Sequence, residues 1–298
     1  MRRSHLYQRF FWICSGIIVI LSYSCRDHQP KPKGPDPLYS FFIAGHTYGH
    51  IDSNNVGLHP PFEAKYPLIN QDPFLEMGFL TGDIVRLPSE KDWEEVDSSV
   101  ARIEMPVYFV AGNHDMKDRP LYESRYGDSY YYFKQHQDLF IVLDANVEEW
   151  RIDAQQLDSL RSVLDREADS AENIFVFFHQ LLWWTPDNLF QNLNVNNIIT
   201  RPDSVNFWEE VEPLFRDLSN PVFMFAGDLG AHHGLGWDAY MYYTYANITF
   251  VASGMGNYKT DNFVIVDVLP DKTIRYRLVA LNGNDIDALG ELTDYRLP

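Results

Sequence analysis

Six short apolar runs constrain this chain more than any other feature: Tyr39–Ala44, Met77–Leu80, Val107–Val110, Leu139–Leu143, Ile174–Phe178 and Val222–Ala226. They are β-branched and aromatic, and continuous rather than alternating. Half-solvated strands alternate polar with apolar residues, so continuous runs of this length predict strands covered on both faces. Helical patterns lie between them. Trp93, Val96, Val100 and Ile103 share one face of a helix predicted over Ser89–Ile103. In Asp153–Arg166, Asp153 with Gln156 predicts a capping box, followed by the stripe Leu157, Leu160 and Leu164. A third pattern spans Ser204–Leu218, and Pro213 inside it predicts a kink or a split. After Gly236 the chain turns to successive strands, Tyr240–Tyr245, Ile248–Ala252, Phe263–Val268 and Ile274–Val279, with a hairpin at Pro270-Asp271. The 298 residues predict one layered α/β domain with a β-rich C-terminal half.

The residues just past the runs carry the chemistry. Tyr39–Ala44 leads into Gly45-His46-Thr47-Tyr48-Gly49-His50, and Phe79-Leu80 into Thr81-Gly82-Asp83. Val107–Val110 leads into Ala111-Gly112-Asn113-His114-Asp115, and Phe177-Phe178 into His179-Gln180. Phe223–Ala226 leads into Gly227-Asp228-Leu229-Gly230-Ala231-His232-His233. In open α/β sheets, ligands bind beyond the carboxyl ends of the strands. One Gly-Asp pair is an ordinary turn and one histidine an ordinary residue. Five run ends that all offer His, Asp, Asn or Tyr predict a shared site. Asp144, which ends the remaining run, is read as structural. Trp183, Trp184, Trp237, Tyr240, Tyr242 and Tyr243 are read as packing residues rather than as platforms for a sugar or a base.

The segments Leu80-Thr81-Gly82-Asp83 and Val110-Ala111-Gly112-Asn113-His114-Asp115 resemble the GD and GNHD motifs of the calcineurin-like metallophosphoesterases, and the resemblance spans roughly Leu38 to Leu281. It implies a four-layer α/β/β/α sandwich with a two-metal site between the sheets. It implies that Asp83 bridges the metals and that Asn113 and His179 are ligands of the second. His114 is then the group that protonates the leaving oxygen, and Asp115 the carboxylate that orients it. Two motifs differ from the family's. Where the family has Asp-x-His, this chain has His46-Thr47-Tyr48; where the family has Gly-His-x-His, it has Gly227-Asp228-Leu229-Gly230.

The second site so implied is Asp83, Asn113, His179 and Asp228, three oxygens and a nitrogen that suit manganese, iron or zinc. The first is His46, Tyr48 and Asp83, with a fourth ligand from His50, His232 or His233. Tyrosinate ligation, as in the related purple acid phosphatases, favours ferric iron, so the ions are divalent or of mixed valence. The activity implied is hydrolysis of a phosphate ester by a metal-bound hydroxide attacking in line. The altered first and last motifs leave two alternatives open. One is a catalytically weak protein of the same fold with a binding or scaffolding role at the cell envelope. The other is a hydrolase of a non-phosphate ester.

Charge and the N-terminus bear on partner and place. A net charge of −18 disfavours nucleic acid as a partner and demands a locally positive centre for any phosphate. Arg2, Arg3 and Arg9 precede Phe10–Leu21, an apolar stretch too short to span a membrane comfortably. Leu21-Ser22-Tyr23-Ser24-Cys25 resembles a bacterial lipoprotein cleavage box, the alternative being an uncleaved anchor. The reading is a signal peptide over 1–24, a lipid on Cys25, a proline-rich tether over 25–37 and the domain over 38–298. Cleavage takes the charge to −21, since the leader carries three arginines, and leaves Cys25 as the sole cysteine. The expected location is the cell envelope, lipid-anchored on its periplasmic or extracellular side. The expected substrate is a small-molecule or envelope-derived phosphate ester.

Overall fold

The computed structural model describes residues 34–52, 55–231 and 239–298. The expected signal peptide, Cys25, His232, His233 and Trp237 lie outside the described residues. Within them the chain forms strands β1 (Tyr39–Ala44), β2 (Leu75–Thr81), β3 (Val107–Val110), β4 (Tyr131–Gln135), β5 (Asp138–Val142) and β6 (Ile174–Phe177), then β7 (Val222–Ala226), β8 (Tyr240–Tyr245), β9 (Ile248–Ser253), β10 (Asn262–Val268) and β11 (Ile274–Ala280). One sheet has the order β11-β10-β1-β2-β3 and the other β4-β5-β6-β7-β9-β8. β1, β2 and β3 are mutually parallel, as are β5, β6, β7 and β9; β4, β8, β10 and β11 run antiparallel to their neighbours. The helices are α1 (Pro60–Glu63), α2 (Tyr66–Gln71), α3 (Glu90–Val100), α4 (Arg119–Tyr126), α5 (Ala154–Glu167) and α6 (Glu212–Arg216).

The period of two within each strand sorts its side chains between two apolar layers. Tyr39, Phe41 and Ile43 of β1 face the opposite sheet with Met77 and Phe79, where they meet Phe140, Phe175, Phe177 and Phe225. Their neighbours Phe42, Ala44 and Leu80 face the other way, against Phe62, Tyr66, Trp93 and Val96. On the second sheet, Ile141, Val176 and Met224 pack against Leu157, Leu160 and Leu164 of α5. Three apolar layers between four layers of structure make the α/β/β/α sandwich that the resemblance implies. Both faces of the central strands are covered, which is why the runs lack polar alternation. Trp183 and Trp184 are buried in the outer layer of the second sheet, where Tyr243 packs; Tyr240 and Tyr242 pack at the inter-sheet layer. All five are packing residues.

Local signals set the ends of elements. Ser89 caps α3 by accepting from Asp92 N at 3.1 Å. Asp153 caps α5, and Gln156 reaches back to its carboxylate at 2.6 Å. Pro213 splits its segment as expected: a π-turn over Phe207–Val211 precedes α6, where the proline occupies the first turn and needs no donor. The runs did not foretell β4, α1, α2 or α4. β4 is an edge strand whose residues alternate in exposure, and its pattern Tyr-Tyr-Phe-Lys-Gln hides among aromatics. β3 is the edge of the first sheet, and its Phe109 carbonyl accepts from the hydroxyls of Tyr131 at 3.2 Å and Tyr122 at 3.5 Å. Pro32–Pro298 is one compact unit with all the described strands and its own three apolar layers, the requirements for independent folding.

The inter-sheet layer is held by ring stacking, with Phe79 and Phe177 parallel at 3.9 Å between centroids. Both rings are fully buried. Phe79→Ala should therefore cost about 3–5 kcal/mol in chemical unfolding. Phe79→Leu should cost markedly less, and equal midpoints for the two variants would contradict this role for the layer.

Candidate metal centre

The parallel strands of both sheets point their carboxyl ends to one side, and each turns sharply there. β1 ends at Ala44, and His46 comes next but one with φ 53°; β2 ends at Thr81, and Asp83 comes next but one with φ 51°. Positive φ is sparse for residues with a Cβ, so both positions hold local strain that surrounding bonds must offset. Those bonds link the two turns: His46 N donates to Gly82 O at 3.0 Å and Tyr48 N to Asp83 O at 3.1 Å. On the other sheet, Gly227 N and Asp228 N both donate to His179 O, at 2.9 and 3.1 Å. Crowding as well as turning requires glycine at these turns. A Cβ on Gly82 would lie 2.3 Å from His179 Nδ1, and one on Gly112 would lie 2.5 Å from Asp83 Oδ1.

These turns bring Asp83, His179 and Asp228 together, with one ligand atom from each within 4.8 Å of the others. His179 Nε2 is 3.3 Å from Asp83 Oδ1 and 3.6 Å from Asp228 Oδ1. His46 Nε2 is 3.6 Å from the other oxygen, Asp83 Oδ2. Asp83 thus turns its two oxygens toward two different imidazoles, the placement a bridging carboxylate needs. Asn113 and His114 line the same cleft with His46, Tyr48, Asp83 and Asp228; its volume is about 160 Å³.

Several buried atoms here make no close, well-aligned hydrogen bond: both carboxylate oxygens of Asp228, Nε2 of His179, which faces the two carboxylates, and Oδ1 of Asn113. Leaving such a group unsatisfied costs about 1–3 kcal/mol. Together with Asp83 they are the three oxygens and one nitrogen expected of a second-metal site, and a hard or borderline cation would satisfy all of them. The residues therefore fit an ion.

The histidines share one device. Nδ1 of His46 lies 2.9 Å from Met255 O, Nδ1 of His179 lies 2.8 Å from Thr81 O, and Nδ1 of His114 lies 2.7 Å from Arg86 O. A carbonyl can only accept, so each Nδ1 carries the proton and Nε2 is left for other work. Metal-binding histidines use this arrangement to fix their tautomer. Burial pushes His46 down to about 4, against the pull of Asp83, so its ring is neutral. Burial opposes charge on His179 as well, but Asp83 and Asp228 outweigh it and raise that imidazole well above its ordinary value. Burial pushes the Asp228 carboxyl up, and Asp83 adds to the shift. Burial would raise Asp83, but His179, then His114 and His46, overcome it and hold that carboxyl low.

Asp115 was expected to orient His114. Its carboxylate instead accepts from Ile84 N, Val85 N and Gly112 N at 2.9, 3.0 and 2.8 Å, clamping the β2 and β3 turns together. The Arg86 carbonyl holds His114 in its place. Tyr48 is buried, with its ring 4.3 Å from that of His46 and 5.1 Å from that of His114. Burial, then Asp83 and Asp228, raise its phenol far above the ordinary range, so it is neutral in the metal-free protein. His50 accepts from Asp52 N at 3.2 Å through Nδ1 and is not among the residues lining the cleft. His232 and His233 lie outside the described residues. Asp144 is structural: it is fully buried and holds Ser129, Arg119 and Asn146.

Sequence reading missed Asn196 and Asn197, which line the cleft from the long loop after β6. Asn196 accepts from Ala231 N at 2.9 Å and donates its backbone N–H to Asp228 O at 3.1 Å, so it holds the Asp228 turn. The only signal was the asparagine-rich stretch Asn192-Leu193-Asn194-Val195-Asn196-Asn197.

No protein-family model matches this sequence, and no curated protein matches it by sequence. Solved structures do match in fold. A purple acid phosphatase isolated from yellow lupin (Lupinus luteus) seeds superposes with a TM-score of 0.59 at 12% identity, over 85% of this chain and 53% of that one. The chain thus spans about half the length of that enzyme. A protein described as a putative 5'-nucleotidase from Staphylococcus aureus, in complex with α-ketoglutarate, aligns at 11% identity over 83% of this chain and 55% of that one, with a TM-score of 0.44. At 12% identity the lupin enzyme establishes the fold and leaves the activity to the site.

The raised His179 and Asp228 hold protons that an incoming cation must displace. Metal binding should therefore release protons, and affinity should climb as pH rises from neutral, because deprotonation removes the competitor. Calorimetry in buffers of different ionisation enthalpy measures this; an affinity independent of pH with no proton released would contradict it.

Proposed function

We propose that this protein is a metal-dependent phosphoesterase that hydrolyses a phosphate ester outside the cytoplasm. The observation that carries the reading is the convergence of buried Asp228, His179 and Asn113 on Asp83 with ligand atoms that make no close hydrogen bond, on a fold shared with a phosphatase. Asp83, Asn113, His179 and Asp228 would hold one ion; His46, Tyr48 and Asp83 would hold a second, with Asp83 shared. When bound, such ions make a water acidic enough to attack phosphorus and supply the positive charge a phosphoryl group needs in an acidic protein. The remaining work falls to side chains. His114 donates a proton to the leaving oxygen from Nε2, with its Nδ1 proton committed to the Arg86 carbonyl. Asp115 keeps His114 in reach by fixing the turn that carries it, and His114 N donates to Asp83 Oδ1 at 3.0 Å, coupling the acid to the bridging carboxylate. Tyr48, if deprotonated by its ion, would select ferric iron.

One observation favours a second reading. The described residues give the first site three ligands, and Gly230 stands where the family's last histidine would be. A single-ion protein with weak or no turnover would then bind phosphate esters at the envelope without hydrolysing them.

Elemental analysis and turnover separate the two. The phosphoesterase should carry two ions and cleave aryl phosphate mono- or diesters. His114→Ala should lower kcat by about 10²–10⁴ with metal content retained, whereas Asp83→Asn should lose metal and activity together. At most one ion per chain, with no turnover under manganese, iron or zinc, would establish the binding role instead.

Location is part of the proposal. Cleavage before Cys25 and acylation of that residue would put the domain on a proline-rich tether at the membrane surface. Intact mass of membrane-extracted protein should then correspond to a chain starting at Cys25 plus lipid; a chain starting at residue 1 without added mass would rule out this processing.

A further inference from the structure

A second cavity lies against the edge strand β3 and shares no lining residue with the metal cleft. Its volume is about 530 Å³, within the range of small-molecule sites, roughly 300–1,000 Å³. Aromatic side chains dominate its lining: Tyr108 and Phe109 from β3, Tyr122 and Tyr126 from α4, and Tyr131 from β4. Tyr122 and Tyr126 stand four residues apart, so α4 turns both to one face. The Tyr126 ring meets that of Phe109 at 60° with centroids 4.8 Å apart, and that of Tyr122 at 62° and 5.3 Å. Rings at these angles form walls that face different ways.

The hydroxyls of three of these tyrosines are spent within the protein. Tyr131 and Tyr122 donate to Phe109 O at 3.2 and 3.5 Å, and Tyr126 donates to Asp97 Oδ1 at 2.8 Å. What the rings leave for a ligand is carbon and π surface, negative over its faces. The described lining carries one formal charge, the carboxylate of Asp128, an exposed residue just past α4. Among the described residues it has no ion-pair partner. Arg119, which borders a neighbouring cavity with it, pairs instead with Asp144 at 2.8 Å and Glu123 at 3.1 Å.

Aromatic walls and a carboxylate around one cavity attract a cation. A primary ammonium would ask an acceptor for each of its three N–H groups. A methylated ammonium asks for none and spreads its charge over carbon, which matches walls whose hydroxyls already donate elsewhere. We infer that this cavity binds a quaternary ammonium group, with its methyl groups among Phe109, Tyr122, Tyr126 and Tyr131 and its charge balanced by Asp128. The site stands whether or not the metal centre hydrolyses phosphate esters.

The test titrates residues 32–298 with choline and with its uncharged isostere 3,3-dimethyl-1-butanol, followed by protein NMR. Choline should bind at least about fivefold more tightly, within what a cation gains over aromatic faces. Ethanolamine should bind more weakly than choline. Asp128→Asn should weaken choline at least about twofold at low salt and leave the alcohol unchanged. Tyr126→Leu should bring the ratio of the two probes toward one, whereas Tyr126→Phe, which keeps the ring, should preserve it. Asp169→Asn, which removes an exposed carboxylate away from the cavity lining, should change nothing. Equal affinity for choline and the alcohol, tighter binding of ethanolamine, or a preference untouched by both Asp128→Asn and Tyr126→Leu overturns the inference. Asp128 is exposed, so its variant tests the site even if a ring variant fails to fold. Co-sedimentation with phosphatidylcholine over phosphatidylethanolamine vesicles, weakened in Asp128→Asn, supports a lipid headgroup as the source. Choline binding without it supports a free solute.

Discussion

Three carbonyl groups decide what this site can be. Met255 O, Thr81 O and Arg86 O each take the Nδ1 proton of a histidine. None of the three belongs to a side chain, so the protonation pattern of the imidazoles is written in the path of the backbone. That path is set in turn by the sheets: Thr81 ends β2, Arg86 lies in the next turn, and Met255 lies just past β9. A shift of a strand by one residue would invert its faces and carry these acceptors away from their rings. The stacked phenylalanines between the sheets, which hold the strands in register, therefore also hold the tautomers.

Crowding does the rest. At the turns after β2 and β3, space for a Cβ is taken by the ring of His179 and by the carboxylate of Asp83. At Gly82 the two sheets approach until the His179 ring of one occupies the volume that a side chain of the other would fill. Strain at His46 and Asp83 is tolerable because their turns bond to each other, and Asp115 ties the Asp83 turn to the turn after β3 through three backbone amides. An acidic cluster this buried is unfavourable without a cation, and the histidines that face Asp83 offset only part of that cost.

Much of this was legible in the sequence. Continuous β-branched and aromatic runs announced strands covered on both faces, and the polar residues that ended them announced a shared crevice. Asp83, Asn113, His179 and Asp228 could be grouped because each stands just past a run, so strand order alone brings them to one side. Tyr48 and His46 were named on the same ground. What stayed hidden belongs to two kinds. Backbone acceptors have no residue type: nothing in the letters Met255 or Arg86 says that a carbonyl will orient a histidine. For the same reason Asp115 was assigned to His114 by resemblance, when its oxygens are consumed by amides of neighbouring turns. Asn196 and Asn197 were hidden differently, since a long irregular loop has no period from which its fold can be read. The strand β4 was masked by composition, as its exposed face carries Tyr132 beside Lys134 and its other face ends in Gln135 after Tyr131 and Phe133.

The two phenols that reach the Phe109 carbonyl do a job distinct from catalysis. β3 is an outermost strand, and its spare carbonyl would otherwise be a docking point for a strand of another molecule. Tyr131 comes from the second sheet and Tyr122 from α4, so that carbonyl is sealed by parts of the chain's own fold rather than by charge. Molecules held side by side on a surface meet one another far more often than molecules free in solution. On the proposed membrane tether, closing a hydrogen-bonding vacancy on the sheet margin would guard against fibril-like self-pairing and keep neighbours separate.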